Sequence, residues 1–265
     1  MSGHLGAALA IFRRDLRIFL SYRTMAYSQA FSAVTSLAVF YYVSRLLRVS
    51  TFSSSDKYFA FVVVGLVILA VVQSTLVLSG SVRNELVAGT FERVLLSPFG
   101  AVRGALSMMI FPAVHAIAMG AWTLTVAAVF FGLRLHWSTV ALALPVGIVA
   151  ALSFSAIALL IAALVIVFKQ APGVGMIVVG ITFISGLYFP TSLLPVWIRW
   201  ASAVQPFTPA VNLLRHLLVG LPMSASPWLS LLKLLGFTVV LLPLGAWVLS
   251  WGVVAGQRRG TIIEY

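Results

Sequence analysis

From Ser138 to Phe168 the chain runs without a single charged residue, and that stretch dictates the solvent it folds in. A helix crossing the hydrocarbon core of a bilayer needs about 20 consecutive apolar residues, at ~1.5 Å of rise each. Apolar stretches of this kind recur along the chain, and spans read at about 24–47, 58–82, 105–133, 138–168, 174–190 and 228–255. Composition supports the same reading. The chain is 62% hydrophobic and 8% charged, against roughly 45–50% and 25% in soluble domains. A mean hydropathy of +1.11 leaves too little polar surface to cover a water-soluble fold. The expectation is an all-α integral membrane protein, one transmembrane domain over 1–265 with about six transmembrane helices.

The flanking segments refine the picture. Residues 3–20 read as an amphipathic helix lying on the membrane: Leu5, Leu9, Phe12, Leu16, Phe19 and Leu20 recur at helical spacing while Arg13, Arg14 and Arg17 fill the other side. The third span is long enough to need tilt or a kink, and Pro112 is the candidate kink site. The fifth reaches Pro190 and is short for a full crossing. Prolines 190, 195, 206, 209, 222 and 227 then punctuate two brief apolar helices, about Ser192–Ala203 and Ala210–Val219. Neither spans alone, so residues 190–227 read as a re-entrant hairpin whose interrupted backbone is satisfied by surrounding protein.

Six crossings put both termini on one side. With that side cytoplasmic, the outer cations are Arg45, Arg48, Lys57, Arg134, Arg199, Arg215 and Lys233, and the inner side holds a modest excess. In the fourth span, Ala151, Ser155, Ala158 and Ala162 form a strip of small residues, suited to close packing within the chain.

Several chemistries find no residues to carry them. The net charge of +12 is spread in ones and twos between apolar runs, whereas nucleic acid asks for a basic face on a folded domain; the cations suit topology and lipid headgroups instead. There is no cysteine, which removes thiolate catalysis and cysteine metal sites. The histidines at 4, 115, 136 and 216 are too dispersed for a metal cage. No Gly-x-x-x-x-Gly-Lys phosphate loop is present. Asp15, Asp56, Glu85, Glu92 and Glu264 all lie outside the middle of the spans, so no carboxylate is placed to bind a coupling ion. The one titratable mid-span residue, His115, reads as hydrogen-bonded packing. No catalytic, cofactor or metal residue is assigned. A passive channel, a scaffold, a membrane-embedded lipid-modifying enzyme and the membrane half of a machine powered by another chain remain.

The segment 83–103 separates these readings. Gly89 breaks the helix arriving from the membrane, Thr90 can cap the next, and Pro98 ends it. The result is a short, stiff, water-exposed helix whose Arg83, Glu85, Glu92 and Arg93 suit a partner surface. The string Glu85…Gly89-Thr90-Phe91-Glu92-Arg93-Val94-Leu95-Leu96-Ser97-Pro98 resembles the cytoplasmic signature of the ABC type-2 transporter permeases. Phe91 and Val94 depart from the residues common there. A second block, Gly186-Leu187-Tyr188-Phe189-Pro190-Thr191-Ser192-Leu193-Leu194-Pro195, continuing to Trp197, Trp200 and Pro206–Pro209, is similar to the same family's hairpin after the fifth span. The basic N-terminal helix matches as well.

The resemblance implies a permease subunit of an ATP-driven exporter. Two permease copies would form the pathway, a homodimer as the expected case, and two separate ABC ATPase subunits would carry ATP and magnesium, with no cofactor on this chain. Glu85, Gly89, Thr90, Glu92, Arg93, Ser97 and Pro98 would form the coupling element, Arg13, Arg14 and Arg17 the interface helix, and Phe183, Tyr188, Phe189 and Pro190 an exit gate. The cargo would be amphipathic, lipid-like or lipid-linked (a drug, lipid or polysaccharide), and the location the plasma or inner membrane.

Overall fold

A computed structural model describes residues 2–46, 52, 54–87, 101–168, 174–223 and 225–258. No strand occurs among them. The helices are α1 (Ser2–Ser21), α2 (Arg23–Leu46), α3 (Ser55–Val87), α4 (Ala101–Met108), α5 (Ile110–Phe131), α6 (Trp137–Phe168), α7 (Val174–Ile184), α8 (Val196–Ala203), α9 (Phe207–Val219) and α10 (Pro227–Arg258). Among the described residues four segments are long and apolar enough to cross a membrane: Ser55–Ser74, Leu106–Phe131, Trp137–Phe168 and Pro227–Arg258.

Two of the six expected spans differ from those four, each for a local reason. α2 has 24 residues, ample length, but carries Ser28, Gln29, Ser32, Thr35 and Ser36 among its apolar residues. α7 is only 11 residues, about 16 Å at 1.5 Å per residue. It ends where Gly186 takes a left-handed backbone (φ 84°) that other residues adopt at a cost. The third expected span is interrupted as its proline suggested. Pro112 has no N–H for the Met108 carbonyl, and the helix breaks between Met108 and Ile110. There the Met109 N–H bonds back only three residues, to the Leu106 carbonyl, at 3.2 Å.

α6 is the spine. Its residues Ala150, Ala151, Phe154, Ala158, Leu159, Ala162 and Ile166 are buried, and it packs against α3, α9 and, most extensively, α10. α6 and α10 run in the same direction. Gly245 comes against the Ala156 carbonyl and Gly252 against Ala163, and the Ser153 and Thr238 hydroxyls meet at 2.6 Å. The small-residue strip of the fourth span is buried in this intrachain packing.

α9 fills the space between α3, α6 and α10. It begins with Phe207 stacked on Phe154, well inside α6, at 4.4 Å between centroids. It ends where the Leu218 carbonyl accepts the His136 N–H, just before α6 starts. A half-length helix thus runs from the interior of the bundle to one of its ends. That end also collects the close of α2, the start of α3 and the close of α5, where Tyr41, Phe59 and Phe131 pack their rings together.

Candidate functional site

Three helices that are mostly apolar place their polar residues on one groove. α2 contributes Ser28, Ser32 and Ser36, four residues apart and therefore on one side of the helix, with Gln29 beside them. α3 adds Gln73 and Ser74, and α5 adds His115 and Thr123; Phe19 of α1 and Phe111 of α5 close one end. The groove encloses about 570 Å³, within the size range of small-molecule sites. Among the described residues no Asp, Glu, Lys or Arg lines it.

Two polar atoms of this groove, Gln29 Oε1 and His115 Nε2, are buried without a hydrogen-bond partner. A buried acceptor or donor left unmade costs about 1–3 kcal/mol, so these two atoms favour any guest that supplies the missing bond. The His115 ring is held between Phe19 at 4.9 Å and Phe111 at 5.9 Å. The packing expected of this histidine is present; the hydrogen bond expected with it is not. The groove as a whole suits a neutral guest with an apolar body and hydroxyl or amide groups.

The second constellation is a buried cation. Arg215 on α9 is 4% exposed. Its Nε donates to the Phe61 carbonyl of α3 at 3.1 Å, Nη1 to Gly186 at 2.8 Å and Nη2 to Leu187 at 2.8 Å. The guanidinium lies over the Phe61 ring, 3.3 Å from its centroid. One side chain thereby ties α9, the loop after α7, and α3 together. Gly65 makes the arrangement possible, because a Cβ there would overlap the Leu187 carbonyl oxygen. Arg215, counted among the outer cations, is buried in the core rather than presented at the surface.

The residues singled out in the sequence divide between the two ends of the bundle. Arg13, Arg14 and Arg17 stand on the exposed side of α1, with Arg14 Nε 2.9 Å from Asp15. On its other side α1 packs Phe12 and Phe19 against Phe111. Glu85 lies in the last turn of α3, towards that same end. Gly89, Thr90, Glu92, Arg93, Ser97 and Pro98 lie outside the described residues. At the opposite end Phe183 packs against Tyr188 at 5.2 Å and Phe189 at 6.3 Å, and Pro190 precedes a short 3-10 turn over Thr191–Leu193. The aromatic residues of the expected gate are therefore brought together. The serine spacing in α2 was a visible signal for the groove, but its meeting with Gln73 and His115 is long-range.

Residues 7–219 match the family model of the ABC-2 type transporter. No curated protein matches the chain. The matched region takes in most of α1, all of α2 through α9 and most of the chain, and with its apolar helices it carries one conclusion: the chain belongs to the ABC-2 type transporter family.

Proposed function

We propose that this chain forms the translocation pathway of an ATP-driven exporter in the plasma or inner membrane, moving an amphipathic, lipid-like or lipid-linked cargo such as a drug, lipid or polysaccharide. As a family member it is a membrane transport subunit, not itself catalytic, and it associates with ABC ATPase subunits. The finer reading is a pair of identical permease chains above two ATPases that hold ATP and magnesium, with both termini in the cytoplasm and lipid around the bundle. The observation that carries it is the groove. An uncharged, hydrogen-bonding cleft in an otherwise apolar bundle matches a cargo with both characters.

The remaining parts follow from the two-ended layout. α2 completes the crossings by turning its serines towards the groove, and α7 with α8 and α9 makes the re-entrant hairpin, supported by the half-length course of α9 inside the bundle. Glu85, Gly89, Thr90, Glu92, Arg93, Ser97 and Pro98 receive the push of the ATPase, and Arg13, Arg14 and Arg17 anchor the interface helix. At the far end Phe183, Tyr188, Phe189 and Pro190 close the exit by ring packing.

The absence of cysteine gives a direct test. Ser32→Cys creates a unique thiol in the groove, and Val240→Cys a unique thiol on the exposed face of α10. In the complex with its ATPase, maleimide labelling at position 32 is expected to change severalfold between the nucleotide-free and ATP-trapped states, while position 240 stays constant. Equal rates at position 32 in both states would contradict a moving pathway there.

A further inference from the structure

We propose that the cleft beside Arg215, between the start of α3 and the α9 terminus, binds a phosphate-type anion at the end of the bundle where α9 closes. The cleft encloses about 460 Å³ and is lined by Lys57, Thr191, Ser192, Asn212 and Arg215, with Phe61 among its apolar walls. Its polar side chains all have N–H or O–H groups to donate, and two are cations. Among the described residues no carboxylate lines it.

A guanidinium has five N–H groups in a fixed fork, and the three carbonyls on Arg215 use three of them. Carbonyl dipoles and the Phe61 ring soften the burial of this charge but carry no negative charge themselves. The acid next to Lys57 in the chain, Asp56, faces elsewhere: its Oδ1 is 3.0 Å from Arg45 Nη2. Among the described residues the cleft is therefore lined by two cations and no carboxylate. Phosphate oxygens, which accept several charge-assisted hydrogen bonds at once, complement such a lining.

Position favours a membrane-level ligand. Trp137 and Trp228 open α6 and α10 at this end of the bundle, and both are exposed, as tryptophans are at the headgroup level of a bilayer. A phosphodiester of a lipid headgroup and free phosphate share the recognising chemistry, and the experiment separates them. The inference is independent of the exporter reading, because it concerns equilibrium binding and not transport.

The intact chain, purified in a neutral detergent, is titrated with phosphatidylglycerol and, separately, with diacylglycerol, and retained lipid is counted by native mass spectrometry. Inorganic phosphate is tested in parallel by thermal shift. Lys57→Gln is the site variant, and Lys57 is exposed, so the fold tolerates it. Lys233→Gln, an exposed lysine of α10 outside the cleft lining, controls for net charge. Phosphatidylglycerol is expected to be retained over diacylglycerol, with the preference falling about fivefold in Lys57→Gln and unchanged in Lys233→Gln. Stabilisation by inorganic phosphate that Lys57→Gln removes would support the same site with a soluble ligand. Absence of both responses, or equal losses in the two variants, overturns the proposal.

Discussion

Gly65→Ala is expected to destabilise the protein by on the order of 3 kcal/mol, far more than one methyl group normally costs inside a helix. Alanine is the better helix former, so the local propensity of α3 improves. The penalty comes from outside the helix. The new Cβ would overlap the Leu187 carbonyl oxygen, and the Leu187 carbonyl carbon lies only 3.1 Å away. The obstacle is backbone and cannot swing aside like a side-chain tip. Moving the loop would stretch the bonds that Gly186 and Leu187 accept from Arg215. Thermal unfolding in nanodiscs should show a lowered midpoint for Gly65→Ala, and an unchanged or slightly raised one for Gly147→Ala, a helical glycine whose Cβ would meet open space.

The second large effect is at Arg215 itself. Arg215→Met keeps an unbranched apolar stem and removes three charge-assisted donors. The Gly186 and Leu187 carbonyls lose the partner that the structure gives them. About 1–3 kcal/mol is expected for each of the two buried carbonyls left without a donor. Arg215→Lys keeps the charge but not the planar fork, and a single ammonium cannot reproduce three divergent bonds; its loss should be intermediate. Because Gly65 and Arg215 hold the same loop, the double variant Gly65→Ala/Arg215→Met should cost less than the sum of the two. Strict additivity in the same unfolding assay would mean that the loop is held by other contacts.

What the sequence made legible follows the range of the interactions involved. The expected spans 58–82, 138–168 and 228–255 lie within α3, α6 and α10 or agree to a residue or so, because length and apolarity are local properties. The break near Pro112 was readable for the same reason: a missing N–H acts on its own turn. The fifth span was harder. Its hydrophobicity continues towards Pro190, but the helix stops at Ile184. The stop depends on the Gly186 backbone and on Arg215, which approaches from 29 residues away.

Counting Arg215 by side of the membrane did not reveal that it is buried. Its neighbours Leu213, Leu214, Leu217 and Leu218 offered another signal. An ionisable residue amid leucines in a membrane protein demands a partner inside the bundle, and here the partners are carbonyls 28 and 154 residues distant. The polar groove shows the same limit. Ser28, Ser32 and Ser36 share a face by spacing alone, but that Gln73 and His115 complete it depends on how α2, α3 and α5 pack.

The layout joins these elements into one functional argument. The Arg215 contacts fix the loop that leads to Tyr188 and Phe189, while α1 and the last turn of α3 occupy the other end. The groove runs between α2, α3 and α5, and it offers hydrogen bonds without charge. The sequence holds no Gly-x-x-x-x-Gly-Lys phosphate loop, and the family is one whose members work with ABC ATPase subunits.

The most direct measurement is ATP hydrolysis by the purified chain in nanodiscs, alone and after addition of its ABC ATPase subunits. The account predicts no turnover by the chain alone, and a stable complex that hydrolyses ATP once the subunits are added. Hydrolysis by the chain alone, or failure to form that complex, would contradict it.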